Sequence, residues 1–332
     1  MTTNSNPPLQ PIKIAGSGAL GSLFAAYLEP HSDVSMLSHW MEQIETVRSQ
    51  GLICVHSNGS SSKHQFLITN NARDLEPIQL ALVLVKSYQT ARTAFELAPI
   101  LAANGLVITL QNGLGNYEML EAALGHGRVV QGVSAQGATM LGPGRVRHAG
   151  HGLTYIATTP GKELILNDFV SLLNHAGLPA QSTEDVKSLQ WGKLAVNTGI
   201  NPLTAILGVR NGFLVKNESA REVMCAAAEE TAAVAHELGI SLPFTDAAAR
   251  VTEVAEATAE NFSSMLQDVL RGAPTEIDAI NGAVASHAQQ IDMPAPVNEA
   301  LWRQVKAIQA TSQTNAEIDR EMLLKKLLGE MT

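Results

Sequence analysis

The sequence predicts an α/β protein: a doubly wound domain with extra strands over residues 1–184, then an all-α domain over residues 185–332. Three observations predict it. The run Gly16-Ser17-Gly18-Ala19-Leu20-Gly21 sits between an apolar strand-like segment and an apolar helix-like one. Apolar strand runs then alternate with helical patterns through the first half. Beyond about Glu184 every segment reads as helix, punctuated by Gly239, Gly272, Pro294 and Pro296.

The elements follow in order. Residues 1–11 are polar and proline-containing and are expected to be a frayed tail. Ile12–Ala15 is a strand, Leu20–Leu28 a helix, Asp33–Leu37 a strand and Trp40–Gln50 an amphipathic helix. Leu52–Thr69 reads as short strands around a polar turn at Ser57–Ser62. Leu80–Val85 and Leu106–Leu110 are continuous apolar runs, as expected of parallel strands covered on both faces, and a helical pattern follows each. Val129–Thr159 is strand-like and glycine-rich, with Gly142-Pro143-Gly144 as a hairpin turn, and is expected to add antiparallel strands that extend or edge the sheet. Helices are expected at Leu189–Leu207, Glu218–Leu238, Phe244–Leu270, Thr275–Gln290, Val297–Thr311 and Ile318–Leu328. A nucleotide domain followed by a helical domain leads us to expect a ligand cleft at their junction.

Composition narrows the function. At 332 residues, 45% hydrophobic and 16% charged, the chain has the makeup of an ordinary folded protein of two domains. A net charge of −9 without a basic stripe argues against nucleic acid and requires a local cation for any anionic substrate. No apolar stretch is long enough for a bilayer, no secretory signal core is evident, and the cytoplasm is the expected compartment. The two cysteines, Cys54 and Cys225, have no metal-like spacing, and neither do the histidines, including His148 and His151, so no metal is expected.

Three blocks carry chemistry. In the glycine turn, Gly16 takes the tight-turn dihedrals, Gly18 admits a pyrophosphate close to the backbone, and Gly21 lets helix and strand approach. The free N–H groups of the helix start complete an anion site. The second block is the segment from Trp191 to Pro202. Lys193, Asn197 and Asn201 recur every four residues and form one polar ridge on an otherwise apolar helix. That ridge is either a substrate surface or a solvated face with an ordinary lysine. Pro202 cannot donate to the Thr198 carbonyl, so a kink is expected there, with that carbonyl and Asn201 presented to a ligand. The third block joins Ser263-Ser264 to the segment Gly272–Asp278. Thr275 and Asp278 imitate a capping box, which puts Glu276 in a first helical turn, where the dipole alone explains an acid.

Together with Val85-Lys86-Ser87-Tyr88-Gln89-Thr90 and Leu110-Gln111-Asn112-Gly113-Leu114-Gly115-Asn116, these blocks resemble the ketopantoate reductase family over nearly the whole chain. The resemblance implies a Rossmann-type amino-terminal domain, a helical carboxyl-terminal domain, and NADPH-dependent reduction of ketopantoate to pantoate on the route to pantothenate and coenzyme A. It implies that Lys193 is the general acid and Glu276 the catalytic carboxylate. Asn112, Asn197, Asn201, Asn211 and Ser264 would contact substrate. Gly16, Ser17, Gly18, Ala19, Leu20, Gly21, His39, Lys86, Gln89 and Asn112 would hold the cofactor. The ammonium and the carboxylate are expected to converge on the nicotinamide ring.

One departure stands out. His39 occupies the position, just after the second strand, where the family carries an arginine for the 2′-phosphate of NADPH. The acid that would mark NAD, about 20 residues past the glycines, is missing too. NADP is therefore expected with NAD left open, and His39 is either a weak phosphate donor or a surface residue. A small-molecule 2-oxo acid is the expected partner, and a homodimer is possible. A reductase of another branched 2-oxo acid and a non-catalytic nucleotide sensor are the competing readings.

Overall fold

A computed structural model describes residues 11–311. The expected tail up to residue 10 and the expected helix at 318–328 lie outside the described residues. Contacts divide the chain into two units. One runs up to Gln111 and resumes from Asn116 to Val186; the other takes Asn112–Gly115 and the chain from Lys187 onward.

The first unit contains β1 (Ile12–Ala15), α1 (Ala19–Leu28), β2 (Val34–Leu37), α2 (Met41–Gln50), β3 (Leu52–Val55), β4 (Ser61–His64) and β5 (Leu67–Thr69). It continues with β6 (Ile78–Val83), α3 (Thr90–Leu97), β7 (Leu101–Thr109), α4 (Asn116–Leu124), β8 (Val129–Ser134), β9 (Gly137–Gly142) and β10 (Arg145–Gly150). It ends with β11 (Thr154–Ala157), α5 (Glu163–His175) and β12 (Ala180–Thr183). The main sheet has the order β12-β11-β8-β7-β6-β1-β2-β5. The pairs from β5 across to β8 are parallel, and only β11 against β8 is antiparallel.

Alternation along the strands explains why both faces are covered. In β6, Leu80 and Leu82 pack with Phe24 of α1 and Phe169 of α5 on one face. Ala81 and Val83 pack with Ala94 and Leu97 of α3 and Leu120 of α4 on the other. A strand buried on both sides reads as an unbroken apolar run for this reason.

Two expectations need correction here. The glycine-rich hairpin does not simply edge the main sheet: β9 and β10 join β3 and β4 in a separate four-stranded sheet, ordered β4-β3-β10-β9. Arg145–Arg147 pair in parallel with Ile53–Val55, an alignment that hairpin signals do not encode. The helix α5 and strand β12 were not anticipated. The spacing of Leu166, Phe169, Leu172 and Leu173, all buried, is a helical signal that sequence reading passed over.

The second unit is built from α6 (Val186–Leu207), α7 (Asn211–Lys216), α8 (Glu218–Glu237), α9 (Ala247–Ala257), α10 (Ser264–Leu270), α11 (Asn281–Gln290) and α12 (Pro296–Thr311). Leu203, Met224, Val251, Val284 and Leu301 are fully buried at its centre. At Gly199 of α6, an added Cβ would stand 2.6 Å from the Met224 carbonyl oxygen of α8, so the glycine permits a close helix crossing. The single helix expected over Phe244–Leu270 is two. Asp246 caps α9 by accepting the Ala249 N–H at 2.8 Å, and Ser263 caps α10 by accepting the Leu266 N–H at 3.0 Å. The short α7 was not anticipated. Among the described residues, no helix is long and apolar enough to cross a membrane.

Candidate active site

The glycine turn divides its work among its three glycines. Gly16 has φ +116°, and a Cβ there would meet the backbone of Leu84 and Val85 at 2.7 Å. Only glycine allows the turn to press on the exit from β6 in that conformation. A Cβ on Gly21 would strike the Gly16 carbonyl oxygen, so this glycine permits helix–strand packing. Gly18 is different: nothing lies within 4 Å of an added Cβ, and as N-cap of α1 it brings no side-chain cap to the amides of Ala19 and Leu20. An open backbone surface at a bare helix start fits a pyrophosphate.

Around the turn, Ser17 is buried, with its hydroxyl 2.5 Å from that of Ser38, just past β2. Gln89 accepts the backbone N–H of Lys86 at 3.3 Å, which braces the segment between β6 and α3. His39 is exposed and lies 2.9 Å from Glu96 and 2.8 Å from Arg92.

The second constellation lies within the helical unit. Lys193 projects from α6 and donates from Nζ to Asn112 Oδ1 at 2.8 Å. Enclosure pulls its pKa down to about 8, because burial disfavours the ammonium, and the Glu276 carboxylate opposes that shift. Glu276 is itself 5% exposed. Asn112 is held from behind. Gln190, three residues before Lys193, donates to the Gly113 carbonyl at 3.0 Å, and Leu114 N–H donates to the Ala279 carbonyl at 2.9 Å. Gly113 has φ +81°, and a Cβ there would stand 2.8 Å from the Ala279 carbonyl carbon. Gln190 was missed, although its place three residues before Lys193 puts it on the same helix face.

Two local expectations fail on hydrogen bonding. The Thr198 carbonyl freed by Pro202 is not offered to a ligand: Asn281 Nδ2 donates to it at 3.0 Å, and α6 continues through the proline to Leu207. Nor do Thr275 and Asp278 form a capping box. Asp278 instead accepts from Trp302 Nε1 at 2.7 Å and Lys306 Nζ at 2.9 Å, and α11 starts only at Asn281. Glu276 therefore stands in the turn before the helix, where its carbonyl accepts the Ala279 and Ile280 N–H groups at 3.0 and 3.1 Å.

The structure thus brings Lys193, Asn112 and Glu276 together. Asn197, half-buried, and Asn201, buried, continue the α6 row. Ser264 is exposed at the first position of α10, while its neighbour Ser263 does the capping. Asn211 heads α7, donates to Thr258 Oγ1 at 2.9 Å, and keeps a buried Oδ1 without a partner.

Comparison with known proteins gives this geometry its context. A family model described as ketopantoate reductase PanE/ApbA matches residues 12–161, and its C-terminal counterpart matches residues 185–309. The 2-dehydropantoate 2-reductase of Archaeoglobus fulgidus is 36% identical over 304 residues, covering 91% of this chain and 99% of that one. That of Pyrococcus horikoshii is 34% identical, covering 89% and 96%. The crystal structure of a PanE/ApbA family ketopantoate reductase from Ralstonia eutropha JMP134 superposes with a TM-score of 0.84 at 30% identity, covering 92% of this chain and all of that one. D-mandelate dehydrogenase with NADH and anilino(oxo)acetate shares the fold, with a TM-score of 0.87 at 24% identity over 92% of this chain and all of that one. The chain belongs to the ketopantoate reductase family.

Proposed function

We infer that this protein reduces 2-dehydropantoate to pantoate, with a nicotinamide cofactor as hydride source and NADPH as its preferred form. One observation carries the mechanism: the enclosed ammonium of Lys193, pKa about 8, is aimed by Asn112 under the field of Glu276.

The residues fit the cofactor. Gly18 and the amides of Ala19 and Leu20 would take the pyrophosphate, with Lys86 and Gln89 on the same side. When bound, the nicotinamide supplies the hydride that reduces the C2 carbonyl. Reduction turns the carbonyl oxygen into an alkoxide, which Lys193 stabilises as a cation and protonates as an acid. A pKa near 8 leaves both forms of the amine accessible near neutral pH, which suits an acid that must be recharged each turnover. Asn112 Oδ1 fixes the direction of the N–H donors, and Glu276 keeps the ammonium charged against its enclosure. Asn197, Asn201 and Ser264 offer neutral hydrogen bonds to a carboxylate and a hydroxyl.

Initial rates with 2-dehydropantoate, 2-oxoisovalerate and each nicotinamide cofactor test this reading. We expect the highest kcat/KM for 2-dehydropantoate with NADPH. Lys193→Ala should lower kcat by about 10²- to 10⁴-fold, the contribution of a positioned general acid. Near-normal turnover by that variant would remove the mechanism, and preference for 2-oxoisovalerate would remove the substrate.

A further inference from the structure

The adenosine end of the cofactor, on the reading above, still needs a cation. His39 stands where arginine was expected, and no acid follows β2 to mark an NAD site. Three side chains meet there. Arg92 Nη2 lies 2.8 Å from His39 Nδ1, Arg92 Nε lies 2.9 Å from Glu96 Oε1, and Glu96 Oε2 lies 2.9 Å from His39 Nε2. The result is a closed ring of one residue past β2 and two residues one turn apart on α3.

Its location is telling. β1 separates β2 and β5 on one side from β6, β7 and β8 on the other, so it is the switch point of the sheet. The ring joins the exit of β2 to the helix that follows β6, the two neighbours of β1. The end of β2 is also tied to the glycine turn, through the Gly16 N–H to the Leu37 carbonyl at 3.0 Å and through Ser17 to Ser38. Open α/β sheets bind dinucleotides in the crevice outside the strand ends at this point.

Donor counting separates the members of the ring. Arginine has donors only, so His39 Nδ1 must accept, and the ring proton sits on Nε2, donated to Glu96. In that arrangement the Nε2 N–H of His39 is already committed to Glu96. Arg92 has capacity left. Its side chain is 59% exposed, and Nη1 makes no hydrogen bond among the described residues. A guanidinium anchored at two nitrogens and open at the third is oriented in advance for a phosphate.

We propose that Arg92, not His39, reads the 2′-phosphate of NADPH, with His39 as the positioning residue that aims it. Glu96 limits the selectivity, because its carboxylate holds the guanidinium but places a negative charge beside the phosphate.

Calorimetric titration with NADPH and with NADH tests this on the wild type, R92Q and E96Q, and initial rates on 2-dehydropantoate are measured alongside. R92Q should weaken NADPH by at least about tenfold, the loss of a charge-assisted hydrogen bond, with NADH changed by less than about twofold. E96Q should tighten NADPH several-fold, roughly the release of one like-charge contact, and leave NADH unchanged. Unaltered NADPH affinity in R92Q, equal weakening of both cofactors, or a wild type that prefers NADH would each overturn the assignment. Weaker NADPH binding by E96Q would overturn the role given to Glu96. If the wild type reduces 2-dehydropantoate but R92Q keeps its cofactor ratio, only this inference fails. If no cofactor supports turnover, the proposed function fails whatever the titrations show.

Discussion

Lys193 is proposed to serve as an acid in reduction and a base in oxidation, and its environment sets the pH at which it changes role. Enclosure favours the neutral amine and Glu276 favours the charged one, with the balance at about 8. For ketoacid reduction, kcat/KM should therefore fall as pH rises through about 8, since the acid must be protonated in the free enzyme. For pantoate oxidation it should rise over the same interval. A flat profile from pH 6 to about 9 in both directions would mean that another group carries the proton. Asn112→Asp places a second carboxylate at the Nζ atom, 2.8 Å away in the native pair, and should move the alkaline limb to higher pH. The lysine helix itself was legible, because three polar residues four apart on an apolar helix point to one face. Its partner at residue 112 came only from family resemblance. No periodicity links residues 81 positions apart.

Among the elements, α6 shows how a proline is accommodated inside a helix. Pro202 removes the donor for the Thr198 carbonyl, and Asn281 of α11 replaces it while also donating to Asn298 Oδ1 at 3.0 Å. Asn281 is fully buried, so Asn281→Leu leaves two buried acceptors short of a donor. It should cost about 1–3 kcal/mol of stability, read as a lower urea midpoint with an unchanged m-value. Sequence reading saw the proline and the freed carbonyl but could not see which neighbour would claim it. The capping box failed for a related reason: Trp302 and Lys306, more than twenty residues downstream, outcompete a local backbone amide for Asp278.

The second sheet makes a different point about elements. Tyr27 of α1 sits 2.8 Å from His148 Nδ1 and 3.2 Å from His56 Nδ1, and His148 Nε2 meets Gln136 Oε1 at 2.8 Å. Burial, with help from the neighbouring His151 and His56, pulls the His148 pKa down to about 4. An unfolded histidine takes up its proton near pH 6.5, before the folded one does. The unfolded state therefore binds more protons between about 6.5 and 4, and stability from this group is lost as pH falls through that window. His148→Gln should flatten the decline in unfolding free energy between those pH values, measured by urea titration at each. An unchanged slope would show that His148 is not the group protonated on unfolding. In sequence, nothing beyond the lack of metal spacing marks this histidine, because its burial depends on β9 and β10 pairing with β3 and β4 in a separate sheet.

At the scale of the whole molecule, the fold class was readable because both of its signals are periodic. Apolar runs mark parallel strands, and helical spacing fills the carboxyl half. What escaped were places where distant segments settle a local choice: the parallel pairing of β10 with β3, the break between α9 and α10, and the ring of His39, Arg92 and Glu96. That ring uses a residue 53 positions from His39, and sequence reading had considered only the residue after the strand.

The chain also passes between its units more than once. Residues 112–115 belong with the helical unit although β7 and α4, on either side, belong to the other. Swapping material between family members therefore has a hidden seam. A hybrid that takes everything after residue 186 from the Archaeoglobus relative keeps this chain's residues 112–115 in contact with an imported helical unit. Such a graft should turn over more slowly than one that imports the matching four residues as well, and kcat for the two hybrids is the comparison to make. Shuffling at the obvious midpoint would draw residue 112 and its hydrogen-bond partner at 193 from different parents.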